Sequence, residues 1–561
     1  MSDIASHQLP RQVADSYVHD LVELDPALGT YLGVPESADA LPDFSPAGEE
    51  AHARLARATL ERLAGAERLP GAAAEEERRC ARLLRERLTA DLAVRESGEP
   101  LRAVSNIRSP LHTVRSVFTV APTQTADDWS AIDRRMRGVP AALEGYRASL
   151  AEGLSRGLPG GPRQVTAVIA QLHEWIGKDA GWFGSFAAQG PERLRADLDR
   201  SAAVATTALA ELRSWLADTY GPAVQDAPDV VGRERYARWS RKWNGTDLDL
   251  DEAYAYGWSE FHRLHAEMRS AAEKVLPGAT DPWKALRHLD EHGEHIEGVE
   301  ETRVWLQRLM DETIAALDGV HFELADRVKR VESRIAPPGS AAAPYYTAPS
   351  EDFSRPGRTW LPTLGETRFP VYDLVSTWYH EGVPGHHLQL AQWVHVAGRL
   401  SRYQATVGQV SANSEGWALY AERLMDELGF LGDPARRLGC LDAQMMRALR
   451  VVVDIGMHLE LRIPAHSPFR PGERWTPELG REFFGLHCSR SAEFVDSELV
   501  RYLGMPGQAI GYKLGERAWL AGRDAARRAH GNAFDLKQWH MAALSLGALG
   551  LDDLVEELSR L

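Results

Sequence analysis

The sequence predicts a mainly α-helical protein with a small β-sheet set beside one particular helix. Three observations carry that prediction. Over residues 1–326 Ala, Leu, Glu and Arg dominate, with apolar residues returning every three or four positions; from 327 to 370 the chain becomes rich in proline; beyond 370 helical spacing resumes. These limits give a helical lobe at 1–326, a strand region at 327–370 and a second helical region at 371–561, together one continuous two-lobed domain.

In the first region HARLARATLERLAGAERL, EEERRCARLLRERLTADLAVRES and AAVATTALAELRSWLADTY are the plainest helices, with Gly and Pro punctuating the segments between them. No fixed-period repeat recurs, so an irregular antiparallel array is expected rather than a solenoid. In the second region VKRVESRI and RTWLPT are too short and too alternating to sustain a helix, and read as strands. In the third, Asp373 is the expected N-cap of a helix in which Leu374 and Trp378 form an i, i+4 apolar pair, followed by His380 and Glu381.

Bulk properties restrict the function. A chain of 561 residues, 44% hydrophobic and 26% charged, has ample material for a large core. Its formal charge of −16 argues against nucleic acid or an anionic membrane as partner. Three scattered cysteines, Cys80, Cys440 and Cys488, suggest neither a disulfide framework nor a thiolate cluster. The N-terminal stretch lacks a basic segment followed by an apolar run, and MAALSLGALGL at 541–551 is too short to span a bilayer. A cytoplasmic protein is expected; the oligomeric state is left open.

The chemistry concentrates in WYHEGVPGHHLQ at 378–389. Zinc peptidases commonly carry HExxH, in which two histidines one turn apart hold the metal and the glutamate acts as general base. Here Pro384 occupies the place of the second histidine, and His386 and His387 come two and three residues late. Pro384 lacks an N–H, and its ring would strike the carbonyl of His380, so a regular helix cannot continue. On an ideal helix His386 would be rotated by about 120° from His380, and His387 would lie about 10.5 Å along the axis, so neither suits one ion directly. A bulge or wound-out turn at Pro384 and Gly385, with Gly385 free to take a positive φ, would bring the next histidine back into range.

The stretches HEGVPGHHLQ, SEGWALYAERL, PGQAIGYKLGE, LDPALGTYLGV with LPDFSP, and APYYTAPSEDFSRPGRTW together resemble the bacterial family catalogued as domain of unknown function 885. That family carries HExxPGHH and is grouped with the zincin-like metallopeptidases. It is similar in helix-rich fold to the Taq-type carboxypeptidases and thimet-type oligopeptidases, whose second histidine sits in GHAL. The resemblance implies a large multi-helix, gluzincin-type fold with a small sheet next to the active-site helix. It implies His380 and His386 as metal ligands, since His386 aligns with the GHAL histidine, and Glu415, 29 residues later, as the third. His387 is then a hydrogen-bonded neighbour of a ligand or a packed residue behind the bulge. Glu415 sits in SANSEGWALYAERLMDEL, where Asn413 or Ser414 is the expected N-cap, and Glu422 two turns on is a supporting or solvent-facing carboxylate.

In QMMRALRVVVDIGMHLELR, Arg447, Arg450, Asp454 and His458 recur at intervals of three, four and four, on one side of a helix. That spacing fits a solvated face, or a buried cleft in which the arginines take a substrate carboxylate. Tyr512 is the donor that the resemblance places over a scissile carbonyl, with His458 as the other candidate. Tyr345 and Tyr346 line the cleft or pack against helices. The expected activity is zinc-dependent hydrolysis of peptide bonds in short peptides or chain ends, with Glu381 as base and one divalent metal ion, zinc, as cofactor. The alternatives are a metal-dependent hydrolase of a non-peptide amide or ester, and a non-catalytic helical scaffold retaining the fold.

Overall fold

In the computed structural model of the chain, residues 8–177, 180–337 and 343–561 are described. Helix accounts for 69% and strand for 4%, so the mainly α prediction holds. No described helix is long and apolar enough to cross a membrane. The three cysteines are buried free thiols.

The chain divides into two compact units, one running to Arg238 and including Ser497–Pro506, the other Trp239–Asp496 with Gly507–Leu561. The expected break at 326 is therefore not where the chain divides. Helical composition runs unaltered through residue 238, so apolar spacing gives no sign of the change of unit. The proline-rich segment does hold the strands, although its residues 338–342 lie outside the described ones.

In the first unit the three plainest sequence patterns form the helices Pro46–Ala66, Glu75–Glu96 and Arg195–Trp215, the first pattern overrunning its helix by three residues, the second by one, and the third continuing into a wider turn at Leu216–Tyr220. Helix Ala126–Ser155 begins with a capping box in which the Thr125 N–H donates to Asp128 at 2.7 Å and the Asp128 N–H donates back to Thr125 Oγ1 at 3.1 Å. Its inward stripe, Met136, Leu143 and Tyr146, joins Phe118, Leu172 and Leu209 in one buried cluster. Each such side chain contributes about 1.5–3 kcal/mol by leaving water.

The second unit is built around helices Leu250–Val275, Val371–Glu381, Ser411–Glu427, Pro434–Leu459 and Gly511–His530. Helices Ser411–Glu427 and Gly511–His530 meet backbone to backbone: a Cβ on Gly416 would lie 2.3 Å from the carbonyl carbon of Gly515. Only paired glycines permit that approach. In the three-stranded sheet Gly357–Leu361 lies between Val331–Ile335, to which it is parallel, and Tyr345–Thr347, to which it is antiparallel. The indole N–H of Trp378 donates to Ser333 Oγ at 3.0 Å, so the sheet stands against the histidine helix as the sequence predicts.

A two-stranded ribbon, His295–Glu297 with Arg368–Pro370, delivers the chain into that helix. The Val371 N–H donates to Glu294 O at 3.0 Å, and the helix starts there, with Pro370 rather than Asp373 at its N-cap. Asp373 lies in the first turn and takes the Arg490 guanidinium on both oxygens, at 2.7 and 2.5 Å. Helix Ser411–Glu427 likewise starts earlier than expected, capped at Val410, which leaves Asn413 free for a tertiary bond to Gln389.

Candidate metal centre

The histidine helix ends at Glu381, the four residues 382–385 turn, and a second helix begins at His386 and runs to His395. Pro384 has no N–H to extend the first helix, and Gly385 instead bonds back, its N–H donating to Tyr379 O at 3.0 Å. The chain does wind out at 382–385, but Gly385 takes φ −75° rather than the positive φ expected. Glycine is needed there for closeness: a Cβ would lie 2.0 Å from His380 O and 2.4 Å from Tyr379 O. The two histidines therefore stand on separate helices that meet at a joint.

That joint brings together His380 Nε2, His386 Nε2 and Glu415 Oε2. The carboxylate oxygen is 3.5 Å from the first nitrogen and 3.3 Å from the second, and all three atoms lie within 4.8 Å of one another. A tetrahedral ion with bonds of about 2.0–2.1 Å sets its ligand atoms about 3.3–3.4 Å apart, and the two distances from the carboxylate oxygen match that spacing. The hydrogen bonding fits as well. His380 Nδ1 donates to Glu422 Oε1 at 2.7 Å, so Nε2 is the nitrogen that faces the Glu415 carboxylate. A buried pair of this kind calls for a cation between them, a proton or a metal ion. Glu415 Oε2 is buried and makes no hydrogen bond among the described residues.

Burial alone would lower the pKa of His380, but Glu415 and Glu422 together outweigh it and push it to about 9, so in the absence of a metal ion a proton on Nε2 takes the cation's place. Burial would likewise raise Glu415, yet His380 and His386 hold it well below the usual carboxylate range. Glu381 is 8% exposed; burial pushes its pKa up, against the opposing pull of His380 and His386. A carboxyl with raised pKa beside a cationic cluster is suited to taking up and returning a proton.

His387 points away. Its Nε2 donates to Val328 O at 2.7 Å, its Nδ1 accepts from Tyr346 OH at 2.9 Å, and burial lowers its pKa to about 4. With both nitrogens engaged it offers nothing to the cluster. Glu422 is the carboxylate that braces His380, and Arg447 lies 3.6 Å from the same oxygen. The Tyr512 ring lies over His380, centroids 6.3 Å apart and planes 18° from parallel, and the Arg450 guanidinium is 4.6 Å from the Tyr512 ring centre.

Of the polar stripe on helix Pro434–Leu459, none is solvated: Arg447 and Arg450 are 9% and 6% exposed, and Asp454 and His458 are 0%. The stripe divides. The arginines stand by Tyr512, whereas His458 lies about 12 Å further along the axis than Arg450 and its Nε2 is 3.6 Å from Asp454 Oδ1. Asp454 also accepts from the Gly507 N–H at 2.9 Å. The structure sets His458 beside Asp454. Tyr345 stacks on Trp360 within the sheet, centroids 5.9 Å apart.

Two features escape sequence reasoning. Trp417 donates its indole N–H to Pro384 O at 2.9 Å and Gly385 O at 3.1 Å, and no spacing rule marks it. Lys513, fully buried next to Tyr512, bonds Glu516, Gln444 and Glu260 at 2.5, 2.8 and 3.0 Å; its only sequence sign is the i, i+3 pairing with Glu516.

Fold and site together define a helix-rich protein with a two-histidine, one-glutamate cluster at a helix joint. The chain belongs to the family described as "Bacterial protein of unknown function (DUF885)", whose model matches residues 26–558. Among solved structures it is similar to one titled as the putative lipoprotein from Colwellia psychrerythraea, with TM-score 0.84 and 21% identity over 98% of this chain and 99% of that one. It is also similar to one titled as a putative lipoprotein of unknown function from Shewanella oneidensis, with TM-score 0.74 and 17% identity over 98% of this chain and 100% of that one. At these identities the likeness is one of fold. No curated protein matches the chain.

Proposed function

We propose that the protein is a zinc-dependent metallopeptidase of zincin-like type, hydrolysing peptide bonds in short peptides or at chain ends. One observation carries the reading: His380 Nε2, His386 Nε2 and Glu415 Oε2 converge within 4.8 Å of one another, the carboxylate oxygen 3.5 and 3.3 Å from the two nitrogens, with Glu381 buried beside them. An ion held by these three would polarise a substrate carbonyl and bring the pKa of water to about 7. Glu381 takes the proton from the attacking water and returns it to the leaving nitrogen, a role its raised pKa suits. Tyr512, whose ring flanks His380, donates to the oxygen that gains charge, a contact worth roughly 3 kcal/mol. Glu422 keeps His380 in the tautomer with its lone pair on Nε2.

Metal analysis and a peptide panel test this reading. The wild type is expected to hold about one zinc per chain, since four positions around the ion need three protein ligands and one substrate or water. His386→Ala is expected to lose that zinc, while Glu381→Gln keeps it and loses about 10²–10⁴-fold in kcat. Comparing free with amidated C-termini separates cleavage at chain ends from internal cleavage. A wild type without metal, or hydrolysis undiminished in Glu381→Gln, overturns the reading.

A further inference from the structure

His386 and Glu415 sit on different helices, so something besides helix pitch must set the distance between them. Two side-chain bonds join those helices, and they bracket both residues. Trp417, two residues after Glu415, gives its indole N–H to the carbonyls of Pro384 and Gly385, immediately before His386. Asn413, two residues before Glu415, accepts from Gln389 Nε2 at 3.0 Å, and Gln389 is three residues after His386. All the side chains involved are buried: Trp417 is 0% exposed, and Asn413 and Gln389 are 1% each.

The bracket is itself anchored. The Trp417 ring packs edge-on against Trp519, centroids 4.8 Å apart, and Trp519 Nε1 donates to Asn413 O at 3.1 Å. Asn413 Nδ2 donates to Leu549 O at 3.1 Å. The carbonyls that Trp417 takes flank the turn created by Pro384: Gly385 O also accepts the Gln389 N–H at 3.2 Å, while Pro384 O precedes the helix that starts at His386. A buried carbonyl without a donor is costly, so the indole holds the turn in place as well as satisfying it.

We propose that Trp417 and the Gln389–Asn413 pair are positioning residues that fix the separation of His386 and Glu415 and thereby set the affinity of the site for zinc. This rests on the metal reading given above. Removing either bond lets the helix that starts at His386 slide on the glutamate helix, and a ligand displaced by a fraction of an ångström weakens a tetrahedral site.

The test is zinc affinity, measured on the whole chain by competition with a chromophoric chelator. Trp417→Phe keeps an aromatic ring and removes the donor; Gln389→Met keeps the shape and removes the second bond. Each is expected to weaken zinc binding about 10–100-fold, while the metal-free protein unfolds cooperatively at a midpoint within a few degrees of the wild type. Unchanged zinc affinity in both variants, with the wild type binding zinc, overturns the inference alone. A wild type that binds no zinc overturns the metal reading and this inference with it. If Trp417→Phe fails to fold, Gln389→Met decides.

Discussion

At the scale of single side chains, His386 and His387 are neighbours with opposite duties. The first presents Nε2 to Glu415, and the second spends both nitrogens on Val328 O and Tyr346 OH. Replacing His387 with Leu is expected to cost about 1–3 kcal/mol of stability, because a buried carbonyl and hydroxyl lose their partner, and to leave zinc affinity unchanged. Glu422→Gln should do the reverse, weakening zinc about tenfold with little change in fold; chelator competition beside thermal unfolding separates the two. The sequence makes His380, Glu381 and the two late histidines visible through their spacing. Spacing alone does not choose between His386 and His387, since that depends on which way a broken helix restarts; the choice of His386 rests on the family resemblance. Trp417 is hidden for a related reason: its partners are backbone carbonyls, which leave no trace in residue types.

At the scale of elements, the contact that sets Glu415 and Tyr512 around His380 is the glycine crossing of Gly416 and Gly515. Gly416→Ala would gain about 1 kcal/mol in helix propensity, but its methyl would meet the Gly515 carbonyl carbon at 2.3 Å. Overpacking of that kind costs about 1–3 kcal/mol and wins. Lower thermal stability is therefore expected, together with weaker zinc binding, whereas a stabilised variant would show that the helices can separate freely. Elements of this sort are partly legible. Apolar spacing finds the helices and proline density finds the strand region, yet Asp373 and Asn413 misplace two helix starts. Both look like caps and are instead occupied in tertiary bonds, Asp373 with Arg490 and Asn413 with Gln389. The stripe Arg447, Arg450, Asp454 and His458 shows the same limit. Periodicity identifies a shared face but not what covers it, and here the face is buried.

At the scale of the whole molecule, buried neutral histidines tie stability to pH in each unit. Burial depresses His112 in the first unit to about 4 and His540 in the second to about 3. In the unfolded chain both return to about 6.5. Below that pH the unfolded state binds protons that the native state refuses, so the stability contributed by each is full above 6.5 and is lost as pH falls toward the native value. The loss approaches about 1.4 kcal/mol per pH unit for each histidine. Denaturant midpoints measured between pH 7.5 and 5 should therefore fall, with a shallower slope in His540→Gln. A flat profile would mean that these groups are charged in the native state. The division at Arg238 is the least legible feature of all, because helices on either side of it share one composition and a domain boundary is written in contacts.

The joint at Pro384 also bears on how such a centre can vary. When two ligands share one helix, the pitch of that helix dictates their spacing, and an added residue swings the second ligand to another side. With the ligands on two helices that meet at a hinge of four residues, spacing along the chain is released from pitch. The centre then behaves as a mortised corner whose angle is cut by its neighbours, Trp417 at the turn and Asn413 beyond it.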